Sequence, residues 1–130
     1  MNIESLRNYC LAKPDVEEGF PFGETTLVFK VNGKIFLLAA LDAQPLQFNA
    51  KCDPEKAIEL RETYPEAVLP GYHMNKKHWN TVIIDGTLST AQIKEMVDDS
   101  YNLIAVKPKI KAVKKQEDKN QVGKKEKARK

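Results

Sequence analysis

The residues with the most chemistry to offer fall in one run, Pro70-Gly71-Tyr72-His73-Met74-Asn75-Lys76-Lys77-His78-Trp79-Asn80. It holds both histidines of the chain, its only tryptophan, a lysine pair and two asparagines. Lys76 and Lys77 could neutralise phosphates. Asn75 and Asn80 could bond phosphate oxygens or base edges, and Tyr72, His73 or Trp79 could stack on an unpaired base. Lys30, Lys34 and Lys51, at strand and turn positions, could extend such a surface. Each has a plainer reading. Adjacent lysines are ordinary in a solvated loop, and asparagines and histidines can satisfy the backbone of a long connection. Trp79 shares its strand phase with Ile83 and could be core.

Other chemistries find fewer parts. Four residues separate His73 from His78, which is not the i, i+4 pair of a helical zinc site, and no Cys or carboxylate is close in sequence, Asp85 being among the nearest acids. A metal or small-ligand site around the two histidines would need a further ligand from elsewhere in the chain. The serines are Ser5, Ser89 and Ser100, two of which have helical roles, and no motif pairs Cys52 with a histidine. There is no G-x-G-x-x-G and no P-loop. The expectation is a protein that is not an enzyme and carries no cofactor or metal.

The 130 residues suit a single domain, without an apolar run long enough for a membrane span. The start lacks the pattern of a secretory signal, and Cys10 and Cys52 lie far apart without C-x-x-C, as expected for buried thiols in the cytoplasm. The net charge of +3 is unevenly shared. Residues 107–130 carry eleven Lys and Arg against three acids, a net +8, so residues 1–106 carry −5. A basic patch is the usual footprint of nucleic-acid binding, and here it belongs to the tail.

The elements that must hold these residues are legible. Asn2 caps a helix whose stripe is Ile3, Leu6 and Cys10, and Pro14 stops it. Residues 14–24 read as a loop, with Phe20 and Phe22 covering the edge of the core. Thr25 to Val31 alternates as a strand, Asn32-Gly33 is a preferred hairpin turn, and Lys34 to Leu41 reads as a central strand covered on both faces. A third strand puts Leu46, Phe48, Ala50 and Cys52 on one face, and Gln47, Asn49 and Lys51 on the other, toward solvent or a partner. Asp53-Pro54-Glu55 opens a helix lined inside by Ala57, Leu60, Arg61 and Tyr64. A short strand at Ala67-Val68-Leu69 and a β-branched one from Trp79 to Asp85 precede the Ser89–Gln92 capping box of a last amphipathic helix. The fold is predicted to end near Val106, and the tail to lack the apolar residues needed to order it.

In order, FPFG at 20–23, VFKVNGK at 28–34, KCDPEKAIELRETYP at 51–65, PGYHMNKKHWNTVIIDG at 70–86 and Ser100-Tyr101 resemble the YjbR/MmcQ family of small bacterial proteins. The resemblance covers nearly all of residues 1–106 and leaves the tail outside. It implies an α+β domain, an antiparallel sheet with helices packed on it, likened to double-wing DNA-binding folds. Members are commonly labelled DNA-binding. For this chain the expectation is a monomer that contacts DNA weakly and without sequence preference, mostly through the tail. A protein-interaction adaptor using the polar sheet face, and a small-ligand or metal binder built on His73 and His78, are the alternatives.

Overall fold

The Asn32-Gly33 turn forms as its residue types dictate, with φ of 55° and 78° at its two positions. It joins β2 (Thr26–Val31) to β3 (Lys34–Ala40). The computed structural model of the chain describes residues 1–71 and 74–105. Tyr72, His73 and the residues from 106 onward lie outside these, and so does the expectation that the tail lacks fixed structure.

The other elements are α1 (Ile3–Leu11), β1 (Val16–Gly19), β4 (Gln47–Lys51), α2 (Pro54–Thr63), β5 (Val68–Pro70), β6 (Trp79–Ile83) and α3 (Thr90–Ala105). The six strands form one antiparallel sheet in the order β1-β2-β3-β4-β6-β5. This is the α+β architecture expected of the sequence. All three helix starts follow their local signals. The Asn2 side chain accepts from the Ser5 N–H, Asp53 accepts from those of Glu55 and Lys56, and Ser89 and Gln92 exchange both capping-box bonds.

Two expectations fail in the stretch 14–24. It is not all loop, because Val16–Gly19 pairs with Val31–Val28 as an edge strand. Its composition hid it, since backbone bonds to β2 make this strand rather than its own propensity. Nor do the phenylalanines cover the core: Phe20 is 50% exposed and Phe22 65%.

The core lies between one face of the sheet and the helices. Leu27, Phe29, Leu37, Phe48, Ala50 and Val82 meet Leu6 and Cys10 of α1 and Ile93, Met96 and Val97 of α3, with Leu60 of α2 and its C-cap Tyr64 packed at the margin. Both cysteines are buried free thiols, and burial pushes Cys10 up to about 12. Paired in register on the other face are Val28, Leu38, Asn49, Thr81 and Leu69. As expected, β3 is central and buried on both faces, from Phe36 to Ala39.

Ser100 ties α3 to the sheet. Fully buried, its hydroxyl donates to the Phe36 carbonyl at 2.5 Å and accepts the Lys51 N–H at 2.9 Å. Ser100→Ala leaves both backbone groups unpaired where water cannot reach them. The expected cost is about 1–3 kcal/mol, read as a lower urea midpoint with an unchanged m-value. An unchanged midpoint would show that the backbone relaxes to other partners.

Candidate nucleic-acid interface

The 74–80 segment is built around Arg61, which reaches across from α2. Its Nε donates to Asn80 Oδ1 at 2.7 Å, and its Nη2 donates to the carbonyls of Lys76 and Trp79. Asn75 adds a turn of its own: its Oδ1 accepts from the Lys77 N–H at 3.0 Å, and its carbonyl accepts from the N–H groups of His78 and Trp79. The segment is stitched to its neighbours by backbone bonds. Gly71 N–H donates to the Trp79 carbonyl at 2.9 Å, and Cys52 N–H to the His78 carbonyl at 2.7 Å. Lys76 and Lys77 are left exposed at the tip of a fixed turn.

This geometry revises several of the candidate contacts. Asn80 is only 3% exposed, its carbonyl oxygen is taken by Arg61, and it points with Val82 toward the helix side. It is a structural group, unable to read a base without leaving the core. The Asn75 side-chain oxygen is engaged in its turn, although the residue is exposed. Trp79 is neither fully core nor fully free: it is half-buried, on the face away from the helices, directly opposite Lys51 of β4. His78 is half-buried as well, and His73 lies outside the described residues. Among the described residues no cluster of three or more His, Cys, Asp and Glu could hold a metal.

The candidate lysines fall into two places. Lys34 begins β3, Lys51 ends β4, and Lys76 and Lys77 precede β6, so all four sit at the same end of the sheet. The α3 helix also finishes there, because Asn32 Nδ2 donates to the Ala105 carbonyl at 3.3 Å. The residue after Ala105 begins the passage into the basic tail. Lys30 is apart from this group: it pairs in register with Glu17 and lines a cleft of about 400 Å³ with Glu17, Glu18, Phe20 and Pro21.

Ion pairing takes up three cations and leaves these lysines, with Arg61 and Lys94, without a carboxylate partner among the described residues. Arg7 binds Glu18, Lys13 binds Asp98, and Lys56 binds Asp99 and Glu95. The Arg7 partnership holds Glu18 below the usual carboxylate range, chiefly through its hydrogen bond. Lys30, Lys34, Lys51, Lys76 and Lys77 form no ion pair among the described residues. Sequence reasoning found these lysines but missed Arg61 as the organiser of the turn, since its contacts lie 15–19 residues away in the chain.

No helix of the described residues is long and apolar enough to cross a membrane. The YjbR family model matches residues 11–103. The Escherichia coli O157:H7 protein YbdF is 41% identical over 102 residues, which cover 78% of this chain and 82% of that one. The Escherichia coli K12 protein YjbR is 36% identical over 101 residues, covering 78% and 85%. The crystal structure of a Deinococcus radiodurans protein with a DUF419 domain superposes with a TM-score of 0.79 at 39% identity, covering 85% of this chain and 83% of that one. A Pseudomonas syringae protein superposes with a TM-score of 0.67 at 27% identity, covering 80% and 99%. A family match spanning residues 11–103, together with a relative 41% identical over most of both sequences, makes this chain a member of the YjbR family.

Proposed function

We propose that this protein is a non-enzymatic DNA-binding protein that contacts phosphates without sequence preference. One observation carries the reading. Four lysines without a carboxylate partner among the described residues, Lys34, Lys51, Lys76 and Lys77, share the end of the sheet from which the chain runs on into its basic segment. A cation already paired with a carboxylate must give up that pair to bind a phosphate; these four need not. The hydrogen-bonded 75–80 turn holds the backbone of Lys76 and Lys77 in place before contact, so only their side chains remain to be ordered. Trp79 beside Lys51 offers a partly exposed ring for an unpaired base.

The test is the salt dependence of duplex DNA binding by the full chain. Each phosphate contact releases counterions, so replacing both Lys76 and Lys77 with Ala should shrink the log–log salt slope by about 1.8. Most of the remaining slope should belong to the tail, which carries +8. A double variant with the wild-type slope places the contact elsewhere. No binding by the full chain at low salt sinks the DNA reading and leaves the adaptor reading, for which Phe20 and Phe22 stand exposed.

A further inference from the structure

The acids of the fold are as unevenly placed as its lysines. Eight of the fifteen acids in residues 1–106 lie on α2, α3 or their flanks: Asp53, Glu55, Glu59, Glu62, Glu66, Glu95, Asp98 and Asp99. The two helices do not close against each other. Between them runs a cleft with a mouth of about 520 Å³ lined by Cys52, Asp53, Lys56, Asp99, Asn102 and Leu103. It continues into a space of about 290 Å³ that reaches Glu59, Leu60, Glu95 and Met96. The Lys56–Asp99 ion pair spans it at 2.5 Å. The rim is therefore acidic, the floor holds apolar groups, and Leu103 stands 47% exposed at the mouth.

We propose that residues 107–115 of this same chain, Lys-Pro-Lys-Ile-Lys-Ala-Val-Lys-Lys, are the occupant of this cleft. Three features of the molecule select this segment. Asn102 and Leu103 line the mouth and belong to the last turn of α3, so the segment starts within a few residues of the site. At up to about 3.3–3.6 Å per residue, nine residues can run the length of α2, which at 1.5 Å per residue is roughly 15 Å. The segment carries five lysines and no acid, complementary to Asp53, Glu59, Glu95 and Asp99, and its Ile110 and Val113 match the apolar floor. Tethering turns the encounter into an intramolecular one, with an effective concentration in the millimolar range, so a weak contact suffices. The consequence is regulatory: cations held against α2 and α3 are withheld from any external polyanion until salt or a competing anion frees them. This inference is independent of the DNA reading, because it concerns the free protein.

The experiment is zero-length carbodiimide cross-linking of the full chain, read by peptide mass spectrometry. The Lys56–Asp99 link serves as an internal standard of a pair already in contact. Lysines 107–115 should link to Asp53, Glu59, Glu95 and Asp99 about tenfold more than to the remote acids Glu24, Asp42 and Asp85, given local millimolar concentration. At about 1 M salt, where screening acts within roughly 3 Å, the preference should collapse. Glu59→Gln, an exposed side chain in no ion pair among the described residues, should lower the links to Asp53 and Asp99 without disturbing Lys56–Asp99. Links spread evenly over the surface acids would overturn the proposal. Links found only between molecules would assign the cleft to a second copy's tail and overturn it equally.

Discussion

Arg61→Ala should be among the most damaging single substitutions outside the apolar core, lowering stability by about 3 kcal/mol. The guanidinium fills three roles at once. Its Nε satisfies the buried Oδ1 of Asn80, and its Nη2 holds the carbonyls of Lys76 and Trp79. Removing it strands an amide oxygen in a site where Asn80 is almost wholly excluded from water, and it frees the turn that carries Lys76 and Lys77. Arg61→Lys should recover less than half of the loss, because a single ammonium cannot reproduce the two-pronged geometry that spans Asn80 and the two carbonyls. A double-mutant cycle with Asn80→Ala should return a coupling of roughly 1–2 kcal/mol for the pair. The same substitution should weaken polyanion binding at low salt even though Arg61 itself touches no ligand. If the thermal midpoint of Arg61→Ala matches wild type, the turn is held by its own Asn75 bonds and the role given to Arg61 is wrong.

What the sequence reveals and hides follows the range of each interaction. Asn32-Gly33, Asp53-Pro54 and Ser89–Gln92 could be read directly because each closes its bonds within three or four residues. Strand β3 was legible because every position from Phe36 to Ala39 is apolar. In β6 the period was visible but its facing was not. Asn80, Thr81 and Val82 are all buried, so alternation could not say which phase meets the helices, and Trp79 falls on the other side from the one a core reading requires. Edge strand β1 has only Val16 to announce it. Ser100 and Arg61 were placed on the correct helices but not given their functions, since their partners are fixed by the tertiary fold. The candidate site divides along the same line: exposed lysines are plain in the sequence, whereas the pairing that neutralises Arg7, Lys13 and Lys56 and spares the others needs three dimensions.

Gly71→Ala should cost about 2–4 kcal/mol, for a reason invisible in the dipeptide Pro70-Gly71. The backbone angle at Gly71 is not the issue; the space is. A methyl group there would lie 2.8 Å from Trp79 Cβ and 2.9 Å from the Trp79 carbonyl oxygen. Neither neighbour is the flexible end of a side chain, so neither can swing away. The same carbonyl accepts the Gly71 N–H at 2.9 Å, which means that any shift relieving the clash also breaks the bond joining the ends of β5 and β6. The damage should spread to the adjoining turn, since Trp79 N–H is held by Asn75 and its carbonyl by Arg61. For a domain of this size the thermal midpoint should fall by roughly 10–20 °C, with a change in tryptophan fluorescence of the native state reporting the displaced indole. Gly19→Ala supplies the contrast. Nothing lies within 4 Å of a methyl group there, so the midpoint should move little or rise slightly as the unfolded chain loses freedom. Equal midpoints for the two variants would show that β5 and β6 can part at Gly71 without penalty, and that the close approach to Trp79 is not what fixes this turn.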